Sequence, residues 1–478
     1  MKKTKIICTM GPNTSDKACL KKMTLAGMDI ARFNFSHGDY EEHRSRYELL
    51  KEVREETGRH VAALIDTKGP EIRTGVLKNH EKINLVEGNE FILTINEIEG
   101  DDKKAYINYP GLIDDVAAGN RILIDDGIIE LEVKSVSSSE ISCKVITGGE
   151  LGEKKGVNVP GVSIKLPALT DKDKEDIRFA IKLGFDFVAA SFVRNADCIN
   201  QIRELANECN SSLMIIAKIE NQEGIENIDS IIEAADGIMV ARGDMGVEIP
   251  AERVPFIQKT IIKKCNIACK PVITATQMLD SMIRNPRPTR AEATDVANAI
   301  YDGSDAVMLS GETAIGKYPV EAVEMMAKIA QETEKHLDHR AYRNRRISAI
   351  NGKNISNQVS YAAVSTADAL SAAAIVAPSI TGFTTRMLSK WRPSITVIGL
   401  SPSARAVRQM QLYWGVVPIE AKRAESTDEL ITASLEKAKE MGYLHSGELV
   451  VVTAGVISNK HERKPATNTN IMQIEYVK

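Results

Sequence analysis

The chain has 478 residues, 43% of them hydrophobic and 26% charged, which predicts an ordinary globular protein of two to four domains. The formal net charge of −4 at pH 7 gives no reason to expect nucleic-acid binding, and no apolar run is long enough to cross a membrane. Seven cysteines without regular spacing, and the lack of a signal-like apolar segment after Lys2 and Lys3, favour free thiols in a cytoplasmic protein.

The first 70 residues alternate between short apolar strands and helices. The sequence predicts strands at residues 5–9, 30–33 and 61–65, and a charged helix over residues 40–57. Polar groups follow each strand, as expected at the carboxyl end of a parallel sheet, where α/β enzymes keep their chemistry. After the second and third strands these groups are Arg32, Asn34, Ser36, His37, Asp66 and Thr67.

The character of the chain changes after Gly75. Short β segments are predicted at residues 91–95, 121–124, 128–133 and 141–145, with glycine-containing turns between them. No helical stretch interrupts these segments. The sequence therefore predicts a small all-β insert, which closes at residues 154–161.

The alternation of strands and helices resumes after the insert. A helix is predicted to begin at Thr170, and strands with their loops at 187–192, 213–217, 237–241, 271–278 and 305–313. Counting the strands outside the insert gives eight strand–helix units with polar strand ends, which describes a TIM barrel. The insert interrupts this barrel after its third strand.

Charged groups at the ends of two neighbouring barrel strands give the strongest functional signal. One strand ends at Lys218 and Glu220, and the next ends at Gly243 and Asp244. The two carboxylates are hard oxygen ligands suited to Mg²⁺, and the lysine could stabilise a phosphoryl group or an oxyanion. Alternatively, these charges only cap strand ends and pair with one another.

Other barrel loops carry groups that fit the same chemistry. Arg32 and Arg73 could grip phosphate oxygens, because a guanidinium matches them in a bidentate manner. Oxygen donors suited to a monovalent cation are Asn34, Ser36, Asp66 and Thr67, and Thr276 adds a hydroxyl at a strand end. Each group alone could be turn chemistry or helix capping. Together they favour phosphoryl transfer with a divalent metal, without a P-loop motif.

The sequence predicts a separate domain in the C-terminal part of the chain. Residues 340–355 are basic and polar without apolar periodicity, and we interpret them as a linker. Further strands are predicted at 374–377, 396–400, 415–418 and 449–453. The predicted domains are a barrel (1–70 and 168–344), the insert (71–167) and a C-terminal α/β domain (345–478).

Over essentially its full length the sequence resembles the pyruvate kinase family. The resembling segments are ARFNFSHG at 31–38, DTKGPEIRTG at 66–75, KKGVNVPG at 154–161, AKIENQEG at 217–224, MVARGDMGVE at 239–248, ITATQML at 273–279, NPRPTRAEATDVANAI at 285–300 and LSGETA at 309–314. The resemblance implies phosphoryl transfer from phosphoenolpyruvate to ADP, giving pyruvate and ATP, with Mg²⁺ (or Mn²⁺) and K⁺. It also implies a β-barrel lid, a C-terminal regulatory domain and a homotetramer.

The same resemblance implies roles for individual residues. Glu220 and Asp244 would hold Mg²⁺, and Lys218 would stabilise the phosphoryl group and the developing enolate. The implied phosphate contacts are Arg32 and Arg73, the carboxylate contacts Gly243, Asp244 and Thr276, the K⁺ ligands Asn34, Ser36, Asp66 and Thr67, and the nucleotide contacts His37, Arg73 and Lys155. Thr276, acting through water, is a candidate proton donor to the enolate. Relatives with glutamate at the position of Glu71 need K⁺, whereas those with lysine there supply the positive charge themselves.

A hydroxyl-rich loop in the C-terminal domain is a candidate effector site. Residues 378–385 follow a predicted strand and offer hydroxyls and backbone N–H groups at the start of a helix, predicted at 386–390. The candidate contacts are Ser379, Thr381, Gly382 and Thr384. The loop is similar to the sugar-phosphate loop of allosteric pyruvate kinases, and a basic loop at 458–465 could hold a second phosphate. Fructose 1,6-bisphosphate would use both loops, whereas ribose 5-phosphate or AMP would use only the first. An ordinary helix N-cap is the alternative.

Two other functions fit part of the pattern. A lyase or aldolase that handles an enolate on Mg²⁺ would explain Lys218, Glu220 and Asp244, but not the K⁺ loop or the insert. A non-catalytic metabolite sensor would require a broken site, and every candidate site residue is present.

Overall fold

The computed structural model describes residues 2–349, 354–455 and 469–478. In these ranges the chain forms a parallel barrel, a mainly antiparallel insert and a C-terminal α/β sheet. None of the helices described is long and apolar enough to cross a membrane.

Eight parallel strands close into the barrel, as the sequence predicts. The strands are Lys5–Thr9, Ile30–Asn34, Ala62–Asp66, Phe187–Ala190, Met214–Ile219, Gly237–Ala241, Val272–Ala275 and Ala306–Leu309. The first strand pairs in parallel with both the second and the eighth, which closes the ring. Most strand positions are buried because helices cover the outside of the barrel and side chains fill its interior.

Helices of the barrel domain follow the strands in alternation. They are Lys17–Ala26, Tyr40–Thr57, Asp171–Leu183, Ala196–Glu208, Gln222–Glu226, Ile228–Ala234, Arg242–Glu248, Val254–Ala268, Arg290–Asp302, Gly311–Ala314 and Pro319–Lys335. Several of these helices begin with side-chain caps. The Asp16 side chain accepts the Cys19 N–H at 2.9 Å, and Thr170 forms a capping box with Asp173.

The insert is a curled, mainly antiparallel structure between the third and fourth barrel strands, in which Glu90–Thr94 and Lys104–Tyr106 pair in parallel. Its strands are Ile72–Arg73, Ile83–Leu85, Glu90–Thr94, Lys104–Tyr106, Arg121–Ile124, Ile129–Val136, Glu140–Thr147, Gly149–Leu151 and Gly156–Asn158. Seven of them form one sheet, whose first strand begins at Ile72 and whose last ends at Tyr106. The two edges of this sheet meet, because the Gly75 N–H donates to the Tyr106 carbonyl at 2.8 Å and Thr74 bridges Ile107. The predicted small β-barrel is confirmed.

The prediction that the insert contains no helix is wrong in detail. Residues Leu112–Asp115 form a single α-helical turn, and Lys78–His80 form a 3₁₀ turn. Leu112 is fully buried in the core of the insert. A turn of this length carries too few residues for helical periodicity to be visible in the sequence.

The prediction of a linker at 340–355 is also wrong for its first part. Residues His339–Ala349 form a helix that packs with Arg343 and Arg346 buried. The Arg346 guanidinium stacks on the Tyr342 ring at 4.1 Å. Because arginines occupy the inward positions, the segment shows no apolar period. Residues 350–353 lie outside the described part of the chain.

The C-terminal domain is a five-stranded sheet with helices on its faces. In spatial order the strands are Val416–Glu420, Thr396–Ser401, Ala374–Pro378, Leu449–Ala454 and Ile471–Tyr476. The helices are Ile355–Ala369, Phe383–Ser389, Ala404–Gln409 and Thr427–Glu440. The four predicted strands are parallel neighbours, whereas the last strand is antiparallel and was not predicted.

The C-terminal domain covers the base of the barrel, where the strands begin. Arg392 Nη1 lies 2.6 Å from Asp305 Oδ1, just before the eighth strand, and Arg408 Nε lies 2.9 Å from Asp186 Oδ1, just before the fourth. The apolar interior of the barrel is continuous with the face of the C-terminal domain that carries Trp391 and Met410. The opposite end of the barrel therefore remains available for chemistry.

Candidate active site

A buried ion cluster lies at the carboxyl ends of the barrel strands. Lys218 Nζ lies 3.0 Å from Asp66 Oδ1 and 2.9 Å from Glu220 Oε1. It also donates to Ser191 Oγ at 2.8 Å. Burial works against the charge on Lys218, but Asp66 and Glu220 hold its pKa above the ordinary value. The ammonium is therefore charged and fixed in place.

Arg32 joins this cluster through the second oxygen of Asp66. Its Nε donates to Asp66 Oδ2 at 2.6 Å, and its Nη1 donates to Thr9 Oγ1 at 2.9 Å. Burial works against ionisation of Asp66, yet Lys218 and Arg32 hold its pKa below the ordinary value. Arg32 and Lys218 thus share the Asp66 carboxylate, which neutralises only one of their two positive charges.

Glu220 and Asp244 are the candidate metal ligands. Glu220 Oε2 accepts the Phe192 N–H at 2.6 Å, and Asp244 lies in the first turn of the helix Arg242–Glu248. Burial, together with the negative charge of Asp244, raises the pKa of Glu220 to about 7 although Lys218 opposes the shift. A buried carboxylate whose pKa is raised by a second carboxylate gains from a divalent cation between them. The donor set therefore fits Mg²⁺, which takes only one or two carboxylates and completes its shell with water and substrate oxygens.

Thr276 is held against the backbone of the candidate metal loop. Its Oγ1 accepts the Gly243 N–H at 2.8 Å. Thr276 has φ of 68° and Gln277 has φ of 53°, both in the left-handed region that costs energy for residues other than glycine. Arg242 stabilises this turn by donating to the Thr276 carbonyl at 2.7 Å. The backbone of Thr276 is thus strained, and its hydroxyl is fixed between the Gly243 N–H and the Ala275 carbonyl, to which it donates at 2.6 Å.

The candidate K⁺ ligands lie on the second and third strands and the loops after them. Asn34 is opposite Asp66 in the parallel register, and the Phe35 N–H donates to the Asp66 carbonyl at 3.0 Å. Asn34 Oδ1 accepts the Ser36 N–H at 3.1 Å, and Thr67 Oγ1 accepts the Ser191 N–H at 3.2 Å. The fold brings the two loops side by side, as the sequence predicts.

A cleft of about 460 Å³ separates the insert from the barrel mouth. Its lining includes Arg73 and Lys155 from the insert and Asp244 from the barrel. Arg73 Nε donates to Glu71 at 2.7 Å, and Lys155 Nζ donates to Asp125 at 2.9 Å. The insert contacts the barrel beside this cleft, since Asn158 Nδ2 donates to Glu248 Oε1 at 3.3 Å. The volume suits a ligand of nucleotide size, and Arg73, Lys155 and Arg194 are the basic residues of a lining that is otherwise rich in carboxylates.

His37, predicted to contact the nucleotide, lies away from the cleft. Its side chain is exposed and does not line the cleft, and its carbonyl oxygen lies 3.0 Å from His43 Nε2. No described contact assigns His37 to a ligand site.

Two residues of this region escaped the sequence analysis. Ser191 binds Lys218, and Arg242 holds the turn at Thr276 and also donates to Asp295 at 2.8 Å. Both residues follow barrel strands directly, which is the signal that identified the other candidates. Neither has a side chain whose chemistry stands out without its neighbours.

The candidate effector loop is ordered around the helix Phe383–Ser389, which begins earlier than the predicted 386–390. Ser379 Oγ accepts the Thr384 N–H at 3.4 Å, and Gly382 takes φ of 78°. Thr384 is buried and its Oγ1 lies 3.0 Å from Thr469 Oγ1, whereas Thr381 is exposed. The basic loop at 458–465 lies outside the described residues.

Comparisons with known proteins agree along the whole chain. The family model of the pyruvate kinase barrel domain matches residues 1–323, and that of the pyruvate kinase alpha/beta domain matches residues 357–475. Pyruvate kinases of Geobacillus stearothermophilus and Clostridium acetobutylicum are each 50% identical over 100% of this chain, which spans 80% and 100% of those proteins. A crystal structure of a pyruvate kinase from Cryptosporidium parvum is 38% identical, with a TM-score of 0.94 over 100% of this chain and 96% of that one.

Proposed function

The chain belongs to the pyruvate kinase family and transfers the phosphoryl group of phosphoenolpyruvate to ADP, giving pyruvate and ATP, and on this premise we propose which residues carry the reaction. The observation that supports the assignment is the buried cluster in which Lys218 Nζ lies 3.0 Å from Asp66 and 2.9 Å from Glu220. It is charged, rigid and placed at the end of the barrel where such enzymes act.

Lys218 is the central catalytic residue of the proposal. Its ammonium stabilises the phosphoryl group during transfer and the negative charge that develops on the enolate oxygen. Arg32, which shares Asp66 with it, and Arg73 on the insert bind phosphate oxygens. Gly243 and Thr276 bind the carboxylate end of the substrate, and Thr276 directs a proton to the enolate through water.

Glu220 and Asp244 hold Mg²⁺ in this proposal, and Mn²⁺ suits the same oxygen ligands. The ion, when bound, neutralises negative charge on the substrate oxygens. The two carboxylates orient it, and Lys218 beside Glu220 adds a positive charge that does not depend on the ion.

The nucleotide is placed in the cleft between the insert and the barrel. Arg73 and Lys155 line it and offer cationic groups to the phosphates of ADP, with His37 as the outlying member of the set. The insert, residues 71–167, acts as a lid on the barrel of residues 1–70 and 168–344. By closing over the mouth it excludes water from the transfer step.

The experiment that tests the function is a coupled assay for pyruvate. Pyruvate should form from phosphoenolpyruvate only when ADP and Mg²⁺ are present, with ATP in equal amount. Release of pyruvate without ADP would favour a lyase or aldolase, and absence of turnover with ligand binding would favour a sensor.

We expect the enzyme to depend on K⁺, held by Asn34, Ser36, Asp66 and Thr67. Glu71 puts a negative charge beside Arg73, so a further cation is needed next to the phosphoryl group. Activity should fall by about tenfold or more when K⁺ is replaced by tetramethylammonium at equal ionic strength. In Glu71→Lys the same replacement should have a smaller effect. Equal rates of the unchanged enzyme in the two salts would contradict this prediction.

The C-terminal domain, residues 345–478, is proposed to bind a phosphorylated sugar or nucleotide. The proposed contacts are Ser379, Thr381, Gly382 and Thr384. The enzyme itself is proposed to be a cytoplasmic homotetramer. With the activating compound, found by testing fructose 1,6-bisphosphate, ribose 5-phosphate and AMP, the half-saturating phosphoenolpyruvate concentration should fall about fivefold or more. Thr381→Ala and Thr384→Ala should lose this response. Thr396→Ala, at the far end of the neighbouring strand, should keep it. A full response in both loop variants would contradict the assignment.

A further inference from the structure

Ser191 lies between the candidate K⁺ loop, which carries Thr67, and the candidate metal site, which carries Lys218. Its Oγ lies 2.6 Å from the Thr67 carbonyl oxygen and 2.8 Å from Lys218 Nζ. A carbonyl oxygen only accepts hydrogen bonds and an ammonium only donates them. The Ser191 hydroxyl therefore accepts from Lys218 and donates to the near Thr67 carbonyl, with Asp66 Oδ1 at 3.2 Å as a second, more distant acceptor.

Lys218 uses all three of its N–H donors within the cluster. Two go to the carboxylates of Asp66 and Glu220, at 3.0 and 2.9 Å, and the third goes to Ser191. During the reaction the carboxylates of Asp66 and Glu220 are expected to bind cations, so their contacts with Lys218 change with the ions that are present. Ser191 is the neutral acceptor, so its contact with the ammonium does not depend on which ions are bound. A lysine side chain is long and flexible, and this contact is what holds its end at a constant position.

The backbone keeps Ser191 itself in place. Its N–H donates to Thr67 Oγ1 at 3.2 Å, and the next residue, Phe192, has φ of 54° and donates its N–H to Glu220 at 2.6 Å. A left-handed backbone conformation costs free energy for a phenylalanine and persists only where the surrounding structure enforces it. A Cβ added to Gly69 would come within 2.9 Å of Ser191 Cβ, so the serine also packs tightly against the loop that follows the third barrel strand.

We propose that Ser191 is a positioning residue that fixes the Lys218 ammonium for phosphoryl transfer. This inference rests on the proposed role of Lys218. Ser191 also connects the third strand, which carries Asp66 and Thr67, to the fifth, which carries Lys218 and Glu220. Together with the direct contact between Lys218 and Asp66, this small side chain links the candidate monovalent-cation loop to the candidate metal pair.

Ser191→Ala should lower kcat by about 10- to 100-fold, the usual effect of losing one hydrogen bond to a charged group. The KM for ADP should stay within about twofold, since Ser191 does not line the nucleotide cleft. Equilibrium binding of phosphoenolpyruvate, measured by calorimetry, should weaken about tenfold.

A double-mutant cycle separates positioning from a general structural effect. If Ser191 acts through Lys218, the same serine change made in a Lys218→Met background should leave phosphoenolpyruvate binding unchanged. Equal weakening in both backgrounds, or an unchanged kcat in Ser191→Ala, would overturn the proposal. Failure of the unchanged enzyme to bind phosphoenolpyruvate would instead contradict the proposed function.

Ser304→Ala is the matched control. Ser304 is a fully buried serine at the base of the barrel, and its Oγ lies 2.8 Å from Thr274 Oγ1. It should lower the melting temperature without changing kcat. If Ser191→Ala does not fold, Ser191→Cys, which keeps a weaker acceptor of similar size, takes its place in the same cycle with the same criteria.

Discussion

Replacing Lys218 with alanine is expected to lower kcat by about a thousandfold or more while the protein remains folded. The ammonium is buried, charged and fixed by Asp66, Glu220 and Ser191, so its loss removes a positive charge from the centre of the cluster. Glu220→Ala should cause a loss of similar size because it removes a metal ligand. Steady-state rates at saturating phosphoenolpyruvate and ADP, with thermal melting beside them, provide the measurement.

Lys259→Ala is the matched control for this experiment. Lys259 forms an ion pair with Asp302 on the outer helices, far from the barrel mouth, and its loss should leave kcat unchanged. Turnover within a fewfold of normal in either Lys218→Ala or Glu220→Ala would show that the buried cluster is not the catalytic centre.

The second large effect is expected at the base of the barrel. Arg392→Ala should lower the free energy of unfolding by about 3–5 kcal/mol, because it leaves the buried Asp305 carboxylate without its partner. Arg392 Nη1 lies 2.6 Å from Asp305 Oδ1, and both side chains are almost fully buried. Denaturation in urea, followed by tryptophan fluorescence, should report the change because Trp391 is adjacent and buried.

The partner mutation tests the cause of this effect. Adding Asp305→Asn to Arg392→Ala removes the unpaired charge and should recover part of the lost stability. Lys335→Ala, which removes the exposed pair with Glu332, should change the free energy by about 1 kcal/mol or less. A loss below about 1 kcal/mol in Arg392→Ala would mean that the ion pair does not hold the two domains together.

The barrel could be predicted from the sequence because its strands are short apolar runs with polar ends. The strands Lys5–Thr9 and Gly237–Ala241 were predicted to the residue, since every position in them is buried and charged or turn residues follow. Lys218, Glu220 and Asp66 could be predicted to lie close together, because parallel strands all end at the same end of the barrel. The individual distances do not follow from it.

Other features escaped prediction for physical reasons. Arginines occupy the buried positions of the helix His339–Ala349, so a pattern of apolar residues could not identify it. The strand Ile471–Tyr476 is an edge strand with several exposed positions. Ser191 acquires its importance only from Lys218, which lies on the next strand and 27 residues further along the chain.

The ring of strands sets the order in which the chain can fold during synthesis. Lys5, on the first strand, pairs with Ala306 on the last, so one edge of the growing sheet stays open until the eighth strand leaves the ribosome. At about 5–20 residues per second this takes roughly 15 to 60 s. The insert, whose strands run from Ile72 to Asn158 and pair only among themselves, can complete its core long before then. The N-terminal strands of the nascent chain are thus the segment most exposed to wrong pairing, and we expect a chaperone to act there.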